Sequence, residues 1–211
     1  MTRLCRIFLH PTYADPVSSP TRWAGVPLAD RRAERKSQLV AAGFEIFGTQ
    51  GESGLSVRSV CRACGFNTRY FYESFADTDE LLGAIYDQVA LDMSAAIEAE
   101  LTAAGDSDAA RVRAGIRAVL GFGSGDPRRG RVLFTDARAH PVLIARRAAA
   151  QDLLLELTLA EDHGDSDPID NRVRAAMFTG AMAELAQQWL TGHLGNDLDA
   201  VVNRAVATLL R

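Results

Sequence analysis

Cysteine is scarce in this chain: three residues in 211, an odd number with no spacing that reads as a disulfide framework. Apolar runs of membrane-spanning length are missing, which excludes an integral helical membrane protein. The start, "MTRLCRIFLH", has an apolar patch interrupted by Arg6 and lacks a following small-residue cleavage site, so no secretion signal is expected. These absences together point to a reducing cytoplasm. Alternating strand patterns and internal repeats are missing too, and the expected fold is all-α. No nucleophile elbow, phosphate loop or paired-carboxylate motif is found, and no catalytic residue and no cofactor are expected. The net charge of −4 excludes a uniformly basic nucleic-acid coat protein.

What is present is unevenly spread. Between Arg31 and Tyr72 seven basic residues face three acids, a net +4, whereas from Gly83 onward 13 basic residues face 18 acids, a net −5. That asymmetry suggests a basic reader on an acidic body. The hydrophobic fraction of 47% is enough for a sizeable core. Four of the seven prolines (Pro11, Pro16, Pro20 and Pro27) fall within residues 1–30, which reads as a flexible arm.

From Ala33 to Gln50, Leu39, Val40, Gly43, Ile46 and Phe47 share one helical face, and Gly51 is placed to stop the helix. Ser56 opens a second helix as N-cap, with Leu55 and Val60 at staple spacing, and Gly65 ends it. Asn67 caps a third helix, with Phe66 and Phe71 again at staple spacing. Asp77 caps a fourth through Asp77-x-x-Glu80, running from Thr78 to about Ala103. Further helices are expected over Asp108–Leu120, 127–138, 141–160, Ile169–Gly192 and Asp197–Leu210, with "GFGSGDP" and "EDHGDSDP" as loops.

Two short helices joined at Gly65 make a helix-turn-helix whose second helix contains "NTRYFYES". On it Phe66, Phe71 and Phe75 are expected to pack inward. Asn67, Thr68, Arg69, Tyr70 and Tyr72 are left as donors and flat contact surface for a duplex. An arginine at the exposed N-terminal turn can bridge both acceptors of a guanine edge. Arg69 and Tyr70 are therefore assigned to bases and Tyr72 to a phosphate. The basic cluster Arg32, Arg35 and Lys36 joins the candidate DNA contacts.

The order and spacing of an apolar helix ending in Phe47, Gly51, Leu55-Ser56-Val57-Arg58, Gly65, Phe71-Tyr72, Phe75 and Leu81-Leu82 resemble the N-terminal domain of the TetR (tetracycline-repressor-like) family of transcriptional regulators. The resemblance runs from Arg35 to Tyr86, and "AMFTGAMAELAQQWLTGHLG" looks like the family's penultimate helix. It implies an arm over 1–30, a DNA-binding domain over 31–76, and a larger ligand-binding and dimerisation domain over 77–211. It further implies a homodimer on a pseudo-palindromic operator, released by a small-molecule effector of unknown identity. Ser56, Val57, Arg58 and Thr78 join the implied DNA contacts. Two departures stand out: Tyr70 replaces the family's frequent threonine, and Thr78, Asp79 and Glu80 occupy a helix start that is often basic. The competing reading is a small-molecule-binding helical protein or enzyme with a vestigial helix-turn-helix.

Met93, Phe122, Phe134 and Met177 are candidate walls of an effector cavity. Met177, Gly180, Ala181, Glu184 and Leu185, together with Val201, Val202, Ala205, Val206, Leu209 and Leu210, form two stripes suited to a dimer interface of four helices. Cys61-x-x-Cys64 has no second pair and is read as packing rather than a metal site. Glu161–Asp167, with His163, reads as a solvated loop, and His140 and His193 are given no catalytic role.

Overall fold

A computed structural model describes residues 22–23, 26–136, 139–161 and 167–210. The expected loop around His163 and most of the expected arm lie outside the described residues. Apart from a short antiparallel ribbon, β1 (Arg22–Trp23) with β2 (Val26–Pro27), the described chain is helical. Contacts divide it into two compact units, split between Leu91 and Asp92.

The first unit begins with α1 (Leu28–Gln50), which starts five residues ahead of the expected Ala33. Pro27 directly precedes it, a position where the missing N–H costs no helical hydrogen bond. A 3-10 turn (Glu52–Gly54) leads to α2 (Val57–Cys64) and α3 (Thr68–Tyr72). The unit takes α4 (Thr78–Ala103) up to Leu91. The caps are as the sequence suggests. The Ser59 N–H donates to Ser56 Oγ at 3.1 Å while the Ser56 N–H donates to Ser59 Oγ at 3.0 Å, a reciprocal box. The Tyr70 N–H donates to Asn67 Oδ1 at 3.3 Å, and the Glu80 N–H to Asp77 Oδ1 at 2.8 Å. Glu80 closes its box one residue further back than the motif suggests, accepting from the Ala76 N–H at 2.6 Å. Gly65 ends α2 with φ 69°, a left-handed turn that favours glycine. Leu39, Ile46, Phe47, Val60, Phe71, Phe75, Leu81, Leu82 and Ile85 fill the core. Gly43 lets α1 approach α4 closely: a Cβ there would stand 2.8 Å from Ile85 Cδ1 and 3.1 Å from Leu81 Cδ2.

The second unit contains α5 (Asp108–Gly125), α6 (Pro127–Gly130), α7 (Pro141–Glu161), α8 (Pro168–Leu190) and α9 (Leu198–Leu209), with a π-helical turn over Arg131–Thr135 after α6. "GFGSGDP" is therefore no loop through its first five residues, since α5 continues to Gly125. The reason is packing: a Cβ on Gly123 would meet Leu190 at 3.0 Å, as would one on Gly130. These glycines let helices approach, and only Asp126 breaks the run. Its carboxylate then caps α6 by accepting from the Arg128 N–H at 3.1 Å. α9 lies along α5, joined by Arg113 to Asn203 and Arg117 to Asp199.

Candidate nucleic-acid interface

α3 is a two-sided helix built by its aromatic spacing. Phe71 and Phe75, four apart, are buried with their rings 5.9 Å apart. Phe66 is only half-buried and lies edge-on to Tyr70 at 5.9 Å, so it borders the exposed face instead of joining the core. Asn67, Thr68, Arg69, Tyr70 and Tyr72 are exposed, Tyr72 to 60% with its ring edge-on to Phe71.

Several predicted contacts come together around this helix. The Arg69 Nε–H donates to Glu73 Oε1 at 3.0 Å, and the Arg35 guanidinium reaches Glu73 Oε2 at 3.9 Å from α1. Arg35 also stacks over Tyr70, 4.9 Å from the ring centre. Tyr70 is thus held between Phe66 and Arg35. Lys36 reaches Phe75 with its ammonium 5.2 Å from the ring centre, and Arg32 is exposed on the preceding turn of α1. Glu73 is the functional candidate that sequence reasoning missed. Its place four residues after Arg69, the helical spacing for an ion pair, was the available signal.

The remaining predicted DNA contacts sit at helix starts. Ser56, Val57 and Arg58 begin α2, with Arg58 exposed and the Ser56 hydroxyl engaged in its cap. Thr78 is half-buried at the start of α4, amid Asp77, Asp79 and Glu80. The two cysteines of α2 pack. Cys61 is buried with its sulfur 3.7 Å from the Asn67 carbonyl, and the Cys64 sulfur is 3.4 Å from the Gln38 carbonyl. Burial pushes both thiols up, and the neighbouring Cys61 adds to the effect on Cys64, so the protonated form of each is favoured. No metal-holding group of three ligating side chains is found among the described residues.

In the second unit Phe122 and Phe134 are buried and Met93 is half-buried, but Met177 is 70% exposed and belongs to no cavity wall. One cleft among the described residues lies elsewhere, a space of about 290 Å³ lined by Gly123, Ser124, Pro127, Trp189, Leu190, Gly195 and Asn196. Of the two interface stripes, Met177, Gly180, Ala181 and Glu184 are exposed and Leu185 is half-buried. Val202 and Val206 are a correction: both are buried inside the unit, because α9 turns that face toward its own core, and Leu209 and Leu210 remain exposed. Ile169 and Val173 extend the exposed stripe one helical turn at a time before Met177. His140 accepts from the Val142 N–H, and His193 bonds Gln188 and Thr191, local roles at helix ends. Among the described residues no helix is long and apolar enough to cross a membrane.

Residues 39–85 match the family model of bacterial regulatory proteins, tetR family. No curated protein matches the sequence. Among solved structures, a TetR-like transcriptional regulator from Rhodococcus sp. RHA1 is similar at TM-score 0.63 and 21% identity, covering 85% of this chain and 95% of that one. A multidrug binding protein, EbrR, complexed with imidazole, is similar at TM-score 0.65 and 21% identity, over 85% and 92%. The fatty acid degradation regulator FadR from Bacillus halodurans is similar at TM-score 0.62 and 16% identity, over 83% and 94%. At these identities the structures establish a shared fold.

Proposed function

We propose that this chain is a TetR-family regulator, a ligand-responsive repressor that binds a pseudo-palindromic operator as a homodimer in the cytoplasm, a reading supported by the match of residues 39–85 to the tetR family model. The family is one of non-enzymatic transcription factors. The observation that carries the DNA reading is the two-sided α3: Phe71 and Phe75 anchor it while Arg69, Tyr70 and Tyr72 face solvent. A helix held from behind with an arginine at its first turn is what major-groove reading requires. Residues 31–76 serve as the DNA-binding domain. Residues 77–211 serve for effector binding and dimerisation.

The effector reading draws on the fold shared with a multidrug binding protein and on the cleft beside Trp189. Self-association draws on the apolar stripe Ile169, Val173 and Met177, exposed on α8. A gel shift with the DNA upstream of the chain's own gene tests the function. Retardation at nanomolar protein, relieved by a compound from a ligand screen that also raises the thermal midpoint, is the expected result. Binding that no compound relieves would remove the sensor role, and no retardation would remove the repressor.

A further inference from the structure

We infer that Glu73 is a positioning residue that aims Arg69 at its base and thereby sets specificity. This rests on the reading of α3 as the recognition helix. Arg69 is long, and its side chain is 84% exposed, so left alone it would sample many rotamers. Glu73 takes only the Nε–H, at 3.0 Å, leaving both terminal nitrogens with their N–H groups for a guanine edge. The carboxylate is itself held, since its other oxygen is 3.9 Å from the Arg35 guanidinium on α1. Arg35 in turn stacks on Tyr70, so the two residues assigned to bases are tied through one carboxylate and one arginine to a neighbouring helix.

An exposed ion pair of this kind stabilises a fold little. Its acid also stands close to where phosphates must come, which lowers affinity for every duplex. A carboxylate that weakens general binding while fixing a base-reading arginine trades affinity for discrimination.

The test uses the full chain and a pool of randomised duplexes, from which wild type enriches a preferred sequence. Affinities for that sequence and its single-base variants are then measured for wild type, Arg69→Ala, Glu73→Gln and Glu73→Asp at one salt concentration, with thermal midpoints as a check on folding. At the base pair where Arg69→Ala loses preference, both Glu73 variants are expected to lose about two- to tenfold of discrimination, Glu73→Asp because it shortens the reach to Nε and Glu73→Gln because it exchanges a charged acceptor for a weaker neutral one. Only Glu73→Gln, which removes the charge, is expected to bind all sequences more tightly. Discrimination unchanged in both Glu73 variants, while Arg69→Ala abolishes it, overturns the inference and leaves the DNA reading intact. Wild type that enriches no duplex overturns the DNA reading, and the inference with it.

Discussion

Arg69 and Tyr72 occupy the same short helix but are exposed in different settings, one tied to a carboxylate and the other edge-on to the buried Phe71. They should therefore fail differently. Arg69→Ala is expected to cost about 1–3 kcal/mol of operator binding and to relax preference at one or two base pairs. Tyr72→Phe is expected to weaken binding to all sequences by a similar factor, because a phosphate contact carries no base identity. Affinities on an operator and its single-base variants separate the two, and the opposite pattern would exchange their roles. At this scale the sequence was legible where spacing decides burial: Phe71 and Phe75, four apart, are both buried. It was less legible where a side chain's partner lies on another helix. Nothing in the spacing announces that Arg35 meets both Tyr70 and Glu73, because that depends on how α1 packs against α3.

Helix boundaries follow caps where a side chain supplies them and packing where it does not. Ser56, Asn67 and Asp77 were readable as caps because their acceptors serve the N–H groups of the next turn. Ser56→Ala is expected to lower stability by about 1 kcal/mol, read from the urea midpoint, with Ser56→Asp restoring most of it. The misread element is "GFGSGDP", where the glycines look like a loop but Gly123 serves contact with Leu190 from α8, a partner nearly seventy residues away in sequence and invisible to local pattern. Asp126, the residue that does end α5, offers a pH-dependent test. The hydrogen bond from the Arg128 side chain holds its carboxyl below the usual carboxylate range. A depressed folded value means that the stabilisation is complete above the unfolded value of about 3.9 and is lost as pH falls through the folded one. Asp126→Ala is expected to cost about 0.5–2 kcal/mol at neutral pH. The gap between variant and wild type should narrow as the solution is acidified below that range. A gap that stays constant to low pH would show that the charge contributes nothing.

For the whole molecule, the all-α architecture was legible because helical periodicity and caps recur along nearly all of the described chain. The surface proposed for a second copy was only half legible. A stripe of apolar residues on α9 cannot tell its own core from a partner's, and Val202 and Val206 went inward. The stripe on α8 remains exposed, so Met177→Asp is expected to leave the monomer folded and to shift light scattering from dimer to monomer at micromolar concentration. A wild type that scatters as a monomer there would contradict the dimer outright. Duplex binding through α3 is the central requirement of the proposed role. Its most direct measurement is the titration of the full chain, wild type and Arg69→Ala, against the DNA upstream of its own gene and against an unrelated duplex of equal length. The account predicts that wild type prefers the upstream DNA and that Arg69→Ala loses that preference while still binding both duplexes weakly. Equal affinity of wild type for the two duplexes, or a preference that survives Arg69→Ala unchanged, would contradict it.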